Sequence, residues 1–375
     1  MNIIKFKKLI INNKMNFIIN STILKYENNF SDNLIIKSTN KNYEVLYLNE
    51  KLKTLIEQNY DKNDFIIIDK NVYNLDTSCL LNIEEKNYHI FEATELNKTV
   101  EYVLHLFDIL FDINFNKKNK LIVIGGGITQ DLSGFLAAIF KRGIKWIFIP
   151  TTLLSITDSA IGSKVNVNRK SKNMAGLFYA PDKIYISNFF LNSLSNDDII
   201  SGLGEALKLC LIGGQYSLEI FEENYKNKNL DNIIKISTLI KKSVIEFDEL
   251  EKSERKALNY GHEIGHALES CSKYFIPHGI GVLFGIYIVN KLFYNDKYTK
   301  INDLVLSIIP EKYKTINLDY NNFIVHLLND KKNIGNNICF IVLDEIGKIS
   351  FQYREIEIIN TNLRKIFDDL FNNKT

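Results

Sequence analysis

The sequence predicts an α/β domain built on a parallel sheet, followed by a mostly α-helical domain. From about residue 43 to residue 187, short β-branched runs alternate with helical stretches, whereas from about residue 192 the periodicity is mainly helical. Nearly uninterrupted apolar strands with helices between them are typical of a parallel sheet that is covered on both faces. A chain of 375 residues is long enough for two such domains.

The individual elements follow from these two periodicities. The predicted strands of the first domain are YEVLYL (43–48), DFIIID (64–69), LIVIG (121–125), WIFIP (146–150) and KIYIS (183–187), with helices over 95–111 and 132–141. In the second domain the pattern predicts helices over 197–212, 230–247 and 256–271, and strands at 338–343 and 349–354. We expect an N-terminal arm or strand pair over residues 1–40, a nucleotide-type α/β domain over 41–190, and a helical domain over 191–375.

Composition argues against several classes of protein. The 46 Lys and Arg residues nearly balance the 44 Asp and Glu residues, so we expect no nucleic-acid partner and no membrane-surface partner. No apolar run reaches the ~18 residues that a membrane span requires. The four cysteines lie far apart with no CxxC pair, so we expect no disulfide framework, no thiolate zinc site and a cytoplasmic location.

The sharpest motif of the first domain is LIVIGGGITQDLSGF (121–135). Its three glycines follow a strand and precede a helix, where backbone N–H groups and the helix N-terminus are suited to bind a pyrophosphate. Taken alone, the motif is also consistent with a tight strand-to-helix turn that binds nothing. Thr151 and Thr152 follow the next strand, and ligands of open α/β sheets lie at such carboxyl ends. These two hydroxyls are therefore candidates to contact the same cofactor.

Three histidines and one glutamate indicate a metal site in the second domain. His262 and His266 are four residues apart and share one face of a predicted helix, and His278 follows in a turn or at a helix start. Glu205 lies among small and apolar residues of another predicted helix, where an unpaired carboxylate is costly to bury. Each residue alone is explained by a hydrogen-bonded core histidine or a helix-terminal glutamate. Together they favour a Glu/His/His site.

Basic residues accompany both motifs. Any single lysine is normally a solvated surface charge. Lys208, however, follows Glu205 by three residues, and Arg255 precedes His262 by seven, which suggests an anionic substrate beside the metal. The candidate cations are Arg142, Lys164, Lys172, Lys208, Lys241, Arg255, Lys331 and Lys332.

Taken in order, these segments resemble the 3-dehydroquinate synthase family of sugar phosphate cyclases, from about residue 43 to residue 348. The resemblance implies a Rossmann-like domain followed by a helical domain, and a lyase of aromatic amino acid biosynthesis. Its expected substrate is 3-deoxy-D-arabino-heptulosonate 7-phosphate, and its products are 3-dehydroquinate and phosphate. The matching segments are DKNV (69–72), GGGITQD (125–131), FLAAIFKRG (135–143), PTTLLSITDSAIGSK (150–164), KNMAGLFYAP (172–181), SGLGEALK (201–208), LNYGHEIGHALE (258–269), HG (278–279) and DKK (330–332).

The resemblance also implies a role for each matched residue. NAD, which the reaction reduces and then reoxidises, is expected at Asp69, Asn71, Glu95, Lys98, Gly126, Gly127, Ile128, Asp131, Thr151, Thr152 and Lys172. A divalent metal, zinc or cobalt, is expected at Glu205, His262 and His278. The implied catalytic residues are Asp158, Lys164, Lys208, Lys241, Arg255, Asn259 and His266, and the substrate-binding residues are Asn173, Lys331, Lys332 and Arg142. Arg142 matches a residue that reaches the neighbouring subunit's site, which implies a homodimer.

Four departures from the family pattern leave the sugar phosphate open. HGIG (278–281) replaces an acidic HGE, Ser163 replaces a common Gly, Gln130 occupies a usually small position, and the loop before Lys172 is one residue shorter. Arg255 and Asn259 favour a substrate that carries a carboxylate. The alternatives are a cyclase acting on another sugar phosphate, such as sedoheptulose 7-phosphate, a glycerol dehydrogenase-like oxidoreductase with net NADH formation, and a non-catalytic binding paralogue, which would be expected to lack a ligand or a lysine.

Overall fold

The structure, a computed structural model, describes residues 14–329 and 337–372. These residues form two compact units: an α/β unit of residues 31–195, and a helical unit that contains all the others. Lys331 and Lys332, together with residues 1–13 of the predicted arm, lie outside the described residues. Within the described ranges, no helix has both the length and the apolar character that crossing a bilayer requires.

Strands and helices are numbered along the described chain. The strands are β1 (Lys14–Ile19), β2 (Thr22–Glu27), β3 (Asn33–Ile36), β4 (Tyr43–Leu48), β5 (Phe65–Asp69), β6 (Tyr88–Phe91), β7 (Lys120–Gly125), β8 (Lys145–Pro150), β9 (Lys164–Arg169), β10 (Ser171–Phe178), β11 (Lys183–Ser187), β12 (Asn337–Glu345) and β13 (Lys348–Glu355). The helices are α1 (Leu52–Asn59), α2 (Lys70–Tyr73), α3 (Val100–Asp112), α4 (Gly127–Ile139), α5 (Asn196–Gly213), α6 (Gln215–Lys226), α7 (Leu230–Phe247), α8 (His262–Cys271), α9 (His278–Tyr294), α10 (Thr299–Ile308), α11 (Glu311–Lys314), α12 (Tyr320–Leu328) and α13 (Ile356–Phe371).

A seven-stranded sheet is the framework of the α/β unit. Its strand order is β3-β4-β11-β8-β7-β5-β6; β3 runs antiparallel to β4, and the other neighbouring pairs are parallel. Every residue of β5 is buried, as are the last five residues of β7 and of β8, because helices cover both faces of a parallel sheet. The predicted fold class is confirmed, and the five predicted strands of this unit are β4, β5, β7, β8 and β11.

The helices of the α/β unit differ from the prediction at their starts. The predicted helix over 95–111 begins at Val100, because the Thr99 side chain caps it by accepting a hydrogen bond from the Tyr102 N–H. The helix predicted over 132–141 begins at Gly127, immediately after the glycine turn. The antiparallel hairpin of β9 and β10 was not predicted, although the buried Val165 and Val167 alternate with polar residues along β9.

A smaller sheet belongs to the helical unit, in the order β12-β13-β1-β2. β1 pairs in parallel with β13 and antiparallel with β2. The buried side chains of β1 and β2 include Phe17, Ile19 and Leu24. Residues 14–27 are therefore an integral strand pair of this unit.

One predicted helix of the second half is wrong. Residues 256–271 do not form a single helix: a 3-10 turn covers Glu254–Asn259, and α8 begins only at His262. Gly261 between them has φ +79°, a left-handed conformation that ends one helix and precedes the next. A Cβ on Gly261 would lie 2.8 Å from the Ile286 nitrogen of α9, so the packing of α9 requires glycine at this break.

Candidate active site

The predicted metal ligands converge in the helical unit. Glu205 lies in α5, His262 is the first residue of α8, and His278 is the first residue of α9. Glu205 Oε1 lies 3.4 Å from His262 Nε2 and 3.3 Å from His278 Nε2. Ring nitrogens of His262, His266 and His278 lie within 4.8 Å of one another. The structure thus brings together all three predicted ligands, and His266 with them.

Glycines next to these ligands allow their helices to approach closely. A Cβ on Gly204 would lie 2.2 Å from the Gly279 carbonyl oxygen, and a Cβ on Gly265 would lie 2.9 Å from the Gly281 carbonyl carbon. Gly204 precedes Glu205 directly, and Gly265 precedes His266 directly. Gly279 and Gly281 follow His278 by one and three residues. Gly265 therefore leaves room for α9 to pack against α8. Backbone contact, which only glycine permits, therefore sets the ligand positions.

A carboxylate that the sequence analysis did not single out holds His278. Glu269 Oε1 lies 2.8 Å from His278 Nδ1, on the side of the ring opposite Glu205. Burial acts to lower the pKa of His278, but the negative charges of Glu269 and Glu205 outweigh it and raise that pKa to about 10. The two carboxylates thus stabilise a positive charge at the His278 ring.

Lys208 contacts the same glutamate. Its Nζ donates a hydrogen bond to Glu205 Oε2, and both side chains are essentially inaccessible to solvent. A buried carboxylate requires such partners, because removing an ionised group from water is costly. Glu205 therefore presents Oε2 to a lysine and Oε1 to two histidines. One carboxylate oxygen and imidazole nitrogens are a donor set that zinc accepts, so the residues present fit a divalent metal ion.

The predicted substrate residues of this unit differ in their surroundings. Arg255 is buried, and its Nη1 donates to the Glu249 carbonyl oxygen. The Asn259 amide donates to Glu251 Oε1 at 3.0 Å. Because the helix is broken at Gly261, these two residues belong to a turn rather than to one helix face shared with His262. Lys241 is a buried residue of α7.

In the α/β unit, the glycine motif forms the predicted turn. Gly126 is the N-cap of α4 and supplies no side-chain hydrogen bond, so the first N–H groups of Gly127 and Ile128 are available to an anion. A Cβ on Gly126 would lie 3.0 Å from Thr152 Cγ2, and one on Gly127 would lie 3.3 Å from Ser159 Oγ. A glycine turn that exposes N–H groups at a helix N-terminus fits the pyrophosphate of NAD.

The second turn of this unit is tied to the first. Thr152 Oγ1 accepts a hydrogen bond from the Ser155 N–H at 3.2 Å and caps the following segment. The π-helical turn Ser155–Ser159 then carries Asp158. Gln130 Nε2 donates to the Ser159 carbonyl oxygen, and Ser159 Oγ donates to Gln130 Oε1, both at 2.7 Å. The unusual Gln130 thereby links the glycine helix to the segment of Asp158.

Lys98 is the centre of a polar cluster that includes several predicted residues. Its Nζ lies 3.0 Å from Asp131 Oδ2, 2.8 Å from Asn173 Oδ1 and 3.6 Å from Glu95 Oε1. Burial raises the pKa of Asp131 to about 6, although Lys98 acts to lower it. The structure thus joins three predicted NAD residues to Asn173, a predicted substrate residue.

The remaining predicted residues lie at strand ends or on the surface. Asp69 ends β5 and caps α2 by accepting from the Asn71 N–H at 2.7 Å; burial raises its pKa, and this bond acts against the shift. Thr151 follows β8, and its N–H donates to the Gly125 carbonyl oxygen at 3.0 Å. Arg142 is exposed at φ +64°. Lys164 begins β9, and Lys172 is an exposed residue of β10.

Residue type and local pattern missed several members of these clusters. Asn166 Oδ1 lies 3.4 Å from Lys98 Nζ, and Asn168 Nδ2 donates to Glu95 Oε1 at 2.8 Å. Asn166 and Asn168 lie two and four residues after Lys164 in β9, on the same face of the strand, so the period of two was the available signal. Glu269 follows His266 by three residues, so the helical period would have placed it on the same face.

Comparison with known proteins agrees with this arrangement. The domain family described as 3-dehydroquinate synthase N-terminal matches residues 88–201, and the one described as 3-dehydroquinate synthase C-terminal matches residues 202–333. A 3-dehydroquinate synthase of Pelagibacter ubique (strain HTCC1062) is 37% identical over 361 residues, which cover 88% of this chain and 98% of that protein. That of Clostridium tetani (strain Massachusetts / E88) is 36% identical over 325 residues, with 82% and 86% covered.

Among solved structures, 2-deoxy-scyllo-inosose synthase complexed with carbaglucose-6-phosphate, NAD+ and Co2+ matches with a TM-score of 0.78 and 24% identity. The match covers 89% of this chain and 99% of that one, and it supports the fold. The parallel sheet and the helical unit thus define a dehydroquinate synthase-like fold. The chain belongs to the 3-dehydroquinate synthase family.

Proposed function

We propose that this protein converts 3-deoxy-D-arabino-heptulosonate 7-phosphate to 3-dehydroquinate and phosphate, with NAD recycled in each turnover. The observation that carries the proposal is the convergence of Glu205, His262, His266 and His278, in a chain whose relatives at 33–37% identity are 3-dehydroquinate synthases. The proposed activity needs a metal site, a dinucleotide site and several fixed cations, and the chain has candidates for all three.

Glu205, His262 and His278 would hold the metal ion. Three protein ligands leave coordination positions open for a substrate. When bound, zinc polarises a substrate hydroxyl and NAD accepts and returns a hydride. We propose zinc because a carboxylate and two imidazoles suit it, although the same donors also accept cobalt. His266 lies beside the ligands but outside the proposed set, and we assign to it proton transfer with the substrate.

The dinucleotide would bind on the α/β unit. The N–H groups of Gly127 and Ile128 would donate to its pyrophosphate, and Thr151 and Thr152 follow the neighbouring strand β8. Asp69 at the end of β5 and the cluster around Lys98 are proposed for the adenosine half. In the sheet, β5, β7 and β8 are adjacent, so their carboxyl ends share one edge.

Cations would orient the substrate through its phosphate and carboxylate. Lys208 and Lys241 are buried, so each is held in place before the substrate arrives. Arg255 offers a planar, permanently charged guanidinium, which suits a carboxylate. Lys164, Asp158, Asn173 and Asn259 complete the proposed contacts, together with Lys331 or Lys332.

One assay tests the proposed reaction. Purified protein would be incubated with catalytic NAD and either the heptulosonate phosphate or sedoheptulose 7-phosphate, and released phosphate and product mass would be followed. We expect the heptulosonate to be preferred and NAD to turn over many times. Preference for sedoheptulose 7-phosphate would establish the alternative cyclase, and NADH accumulating in step with product would establish the dehydrogenase.

A second experiment tests the metal ligands. His262→Ala should abolish activity and lower bound zinc while the protein stays folded, because one of three ligands is lost. His326→Ala, in α12 and outside the histidine cluster, is the matched control and should retain both. A folded His262→Ala protein with full zinc content would disprove the ligand assignment.

We further propose a homodimer in which Arg142 acts in the partner's site. Its exposure on a turn between α4 and β8 supports this. Arg142→Ala and His262→Ala proteins should each be inactive, whereas mixed dimers should recover up to about a quarter of wild-type activity, since one site of each heterodimer is intact. Absence of recovery in exchanged dimers would refute the shared site. A cytoplasmic location stays a prediction, supported by four described cysteines that are buried and form no disulfide.

A further inference from the structure

We propose that Glu269 is the positioning residue that fixes the orientation and tautomer of His278 for metal binding, an inference that rests on the proposed function. Glu269 Oε1 lies 2.8 Å from His278 Nδ1, whereas His278 Nε2 lies 3.3 Å from Glu205 Oε1. The two ring nitrogens therefore have different partners. With the Nδ1 proton donated to Glu269, only Nε2 presents a lone pair to a metal ion.

The packing of α8 against α9 explains how Glu269 reaches His278. Gly265 and Gly281 bring the two helix backbones together, since a Cβ on either would lie about 3 Å from the other's carbonyl group. A Cβ on Gly281 would also lie 3.5 Å from Glu269 Cγ, so the Glu269 side chain runs along the surface of α9. Glu269 is only 5% exposed, so water competes little for its oxygens. The bond to His278 thus joins the two helices, and its carboxylate is shielded from water although the His278 ring is partly exposed.

A carboxylate behind a ligating imidazole acts on the metal through the ring. It holds the ring plane in place and makes Nε2 more basic, and loss of such a partner typically costs about 10- to 100-fold in metal affinity. A glutamine keeps a hydrogen-bond acceptor but loses the charge, whereas leucine loses both. Glu269→Leu should therefore weaken the metal more than Glu269→Gln does.

The test measures metal affinity rather than activity. Metal-free wild-type, Glu269→Gln and Glu269→Leu proteins would be titrated with Zn²⁺ and Co²⁺ against a chelator, and the visible spectrum of the Co²⁺ forms would be recorded. We expect about 10- to 100-fold weaker binding for Glu269→Leu, a smaller loss for Glu269→Gln, and an altered Co²⁺ spectrum for both. Asp344→Asn is the control: this carboxylate accepts hydrogen bonds from Tyr294 and Ser350, not from a histidine, so affinity should not change.

A double-mutant cycle separates positioning from general destabilisation. In a His278→Ala background, Glu269→Gln should cause no further loss of metal affinity, because the residue through which it acts is gone. An equal loss in both backgrounds, or unchanged affinity in a folded Glu269→Leu protein, would overturn this inference while leaving the proposed function intact. Failure of wild-type protein to bind either ion would overturn the proposed function itself.

Discussion

Gly204 on α5 and Gly279 on α9 meet backbone to backbone, such that a Cβ on Gly204 would lie 2.2 Å from the Gly279 carbonyl oxygen. A Cβ on Gly279 would lie 1.8 Å from the Ser201 carbonyl oxygen. Glu205 follows the first glycine and His278 precedes the second, and their facing atoms are 3.3 Å apart. The helix crossing and the proposed metal site are thus one geometrical feature.

This contact predicts a graded response to alanine. Gly279→Ala and Gly204→Ala should each lower the free energy of unfolding by about 1–3 kcal/mol or more and reduce bound zinc, because backbone on α5 and α9 must separate. Gly281→Ala should cost less, since its Cβ would lie 3.0 Å from the Gly265 carbonyl oxygen. Denaturant unfolding and zinc analysis measure both effects. If the Gly204→Ala protein kept wild-type stability and zinc content, the close backbone contact between α5 and α9 would be contradicted.

The glycine turn predicts a loss of NAD binding that a second substitution does not restore. Gly126→Ala places a methyl group where the cofactor's phosphates approach, but also 3.0 Å from Thr152 Cγ2. Thr152→Ser removes that methyl and leaves the hydroxyl, so it relieves the internal contact alone. We expect Gly126→Ala to weaken NAD binding, measured by fluorescence titration, with or without Thr152→Ser. Recovery in the double variant would mean that packing, not the cofactor, requires glycine.

Arg255 predicts selectivity for a carboxylate. Arg255→Met should lower kcat/KM for the heptulosonate by ~30- to 1,000-fold, equivalent to about 2–4 kcal/mol of lost transition-state binding. Because Arg255 also donates to the Glu249 carbonyl, the unfolding free energy of the Arg255→Met protein must be measured in parallel. Sedoheptulose 7-phosphate has no carboxylate and should be affected less. An equal loss for both substrates would assign Arg255 to the support of its turn.

Ser163 predicts a stabilising substitution. It is buried and has φ +63°, where a non-glycine residue costs ~1–2 kcal/mol. Ser163→Gly removes this cost but frees the unfolded chain by up to ~1 kcal/mol, so we expect a net gain of up to about 1 kcal/mol. The Tyr179 N–H would still donate to the carbonyl oxygen of residue 163. Ser243→Gly, inside α7, is the opposing control and should destabilise.

Asp131 predicts a pH dependence of stability. Its pKa is about 6 in the folded protein because of burial, against ~3.9 in an unfolded chain. The folded state therefore binds the proton more tightly, and the contribution of Asp131 to stability falls as pH rises from about 4 to 6. Asp131→Asn should lack this fall, so the stability difference between wild type and variant should change across that interval and level off above it. An equal difference in unfolding free energy between wild type and Asp131→Asn at about pH 4 and about pH 6 would contradict the raised pKa of Asp131.

Local patterns were sufficient for the strands and for the glycine turn. β4, β5, β7, β8 and β11 were predictable because a buried parallel strand is an apolar run between turns, and α4 follows the glycines directly. The convergence of Glu205, His262 and His278 was predictable from residue type, since buried histidines and a buried glutamate each need a partner. Their individual roles stay predictions.

Tertiary packing determined which residues of distant segments contact one another. The helix breaks at Gly261 because the backbone of α9 packs closely against this residue. The helix propensity of residues 256–271 contains no information about that contact. Glu269 contacts His278 Nδ1 and the Glu249 carbonyl accepts from Arg255, whereas residue type alone pointed to a metal and a substrate. Sequence by itself determined which side chains needed charge compensation. Only the approach of α5, α8 and α9 decided which atoms supply it, because hydrogen bonds depend on ångström distances that local periodicity does not specify.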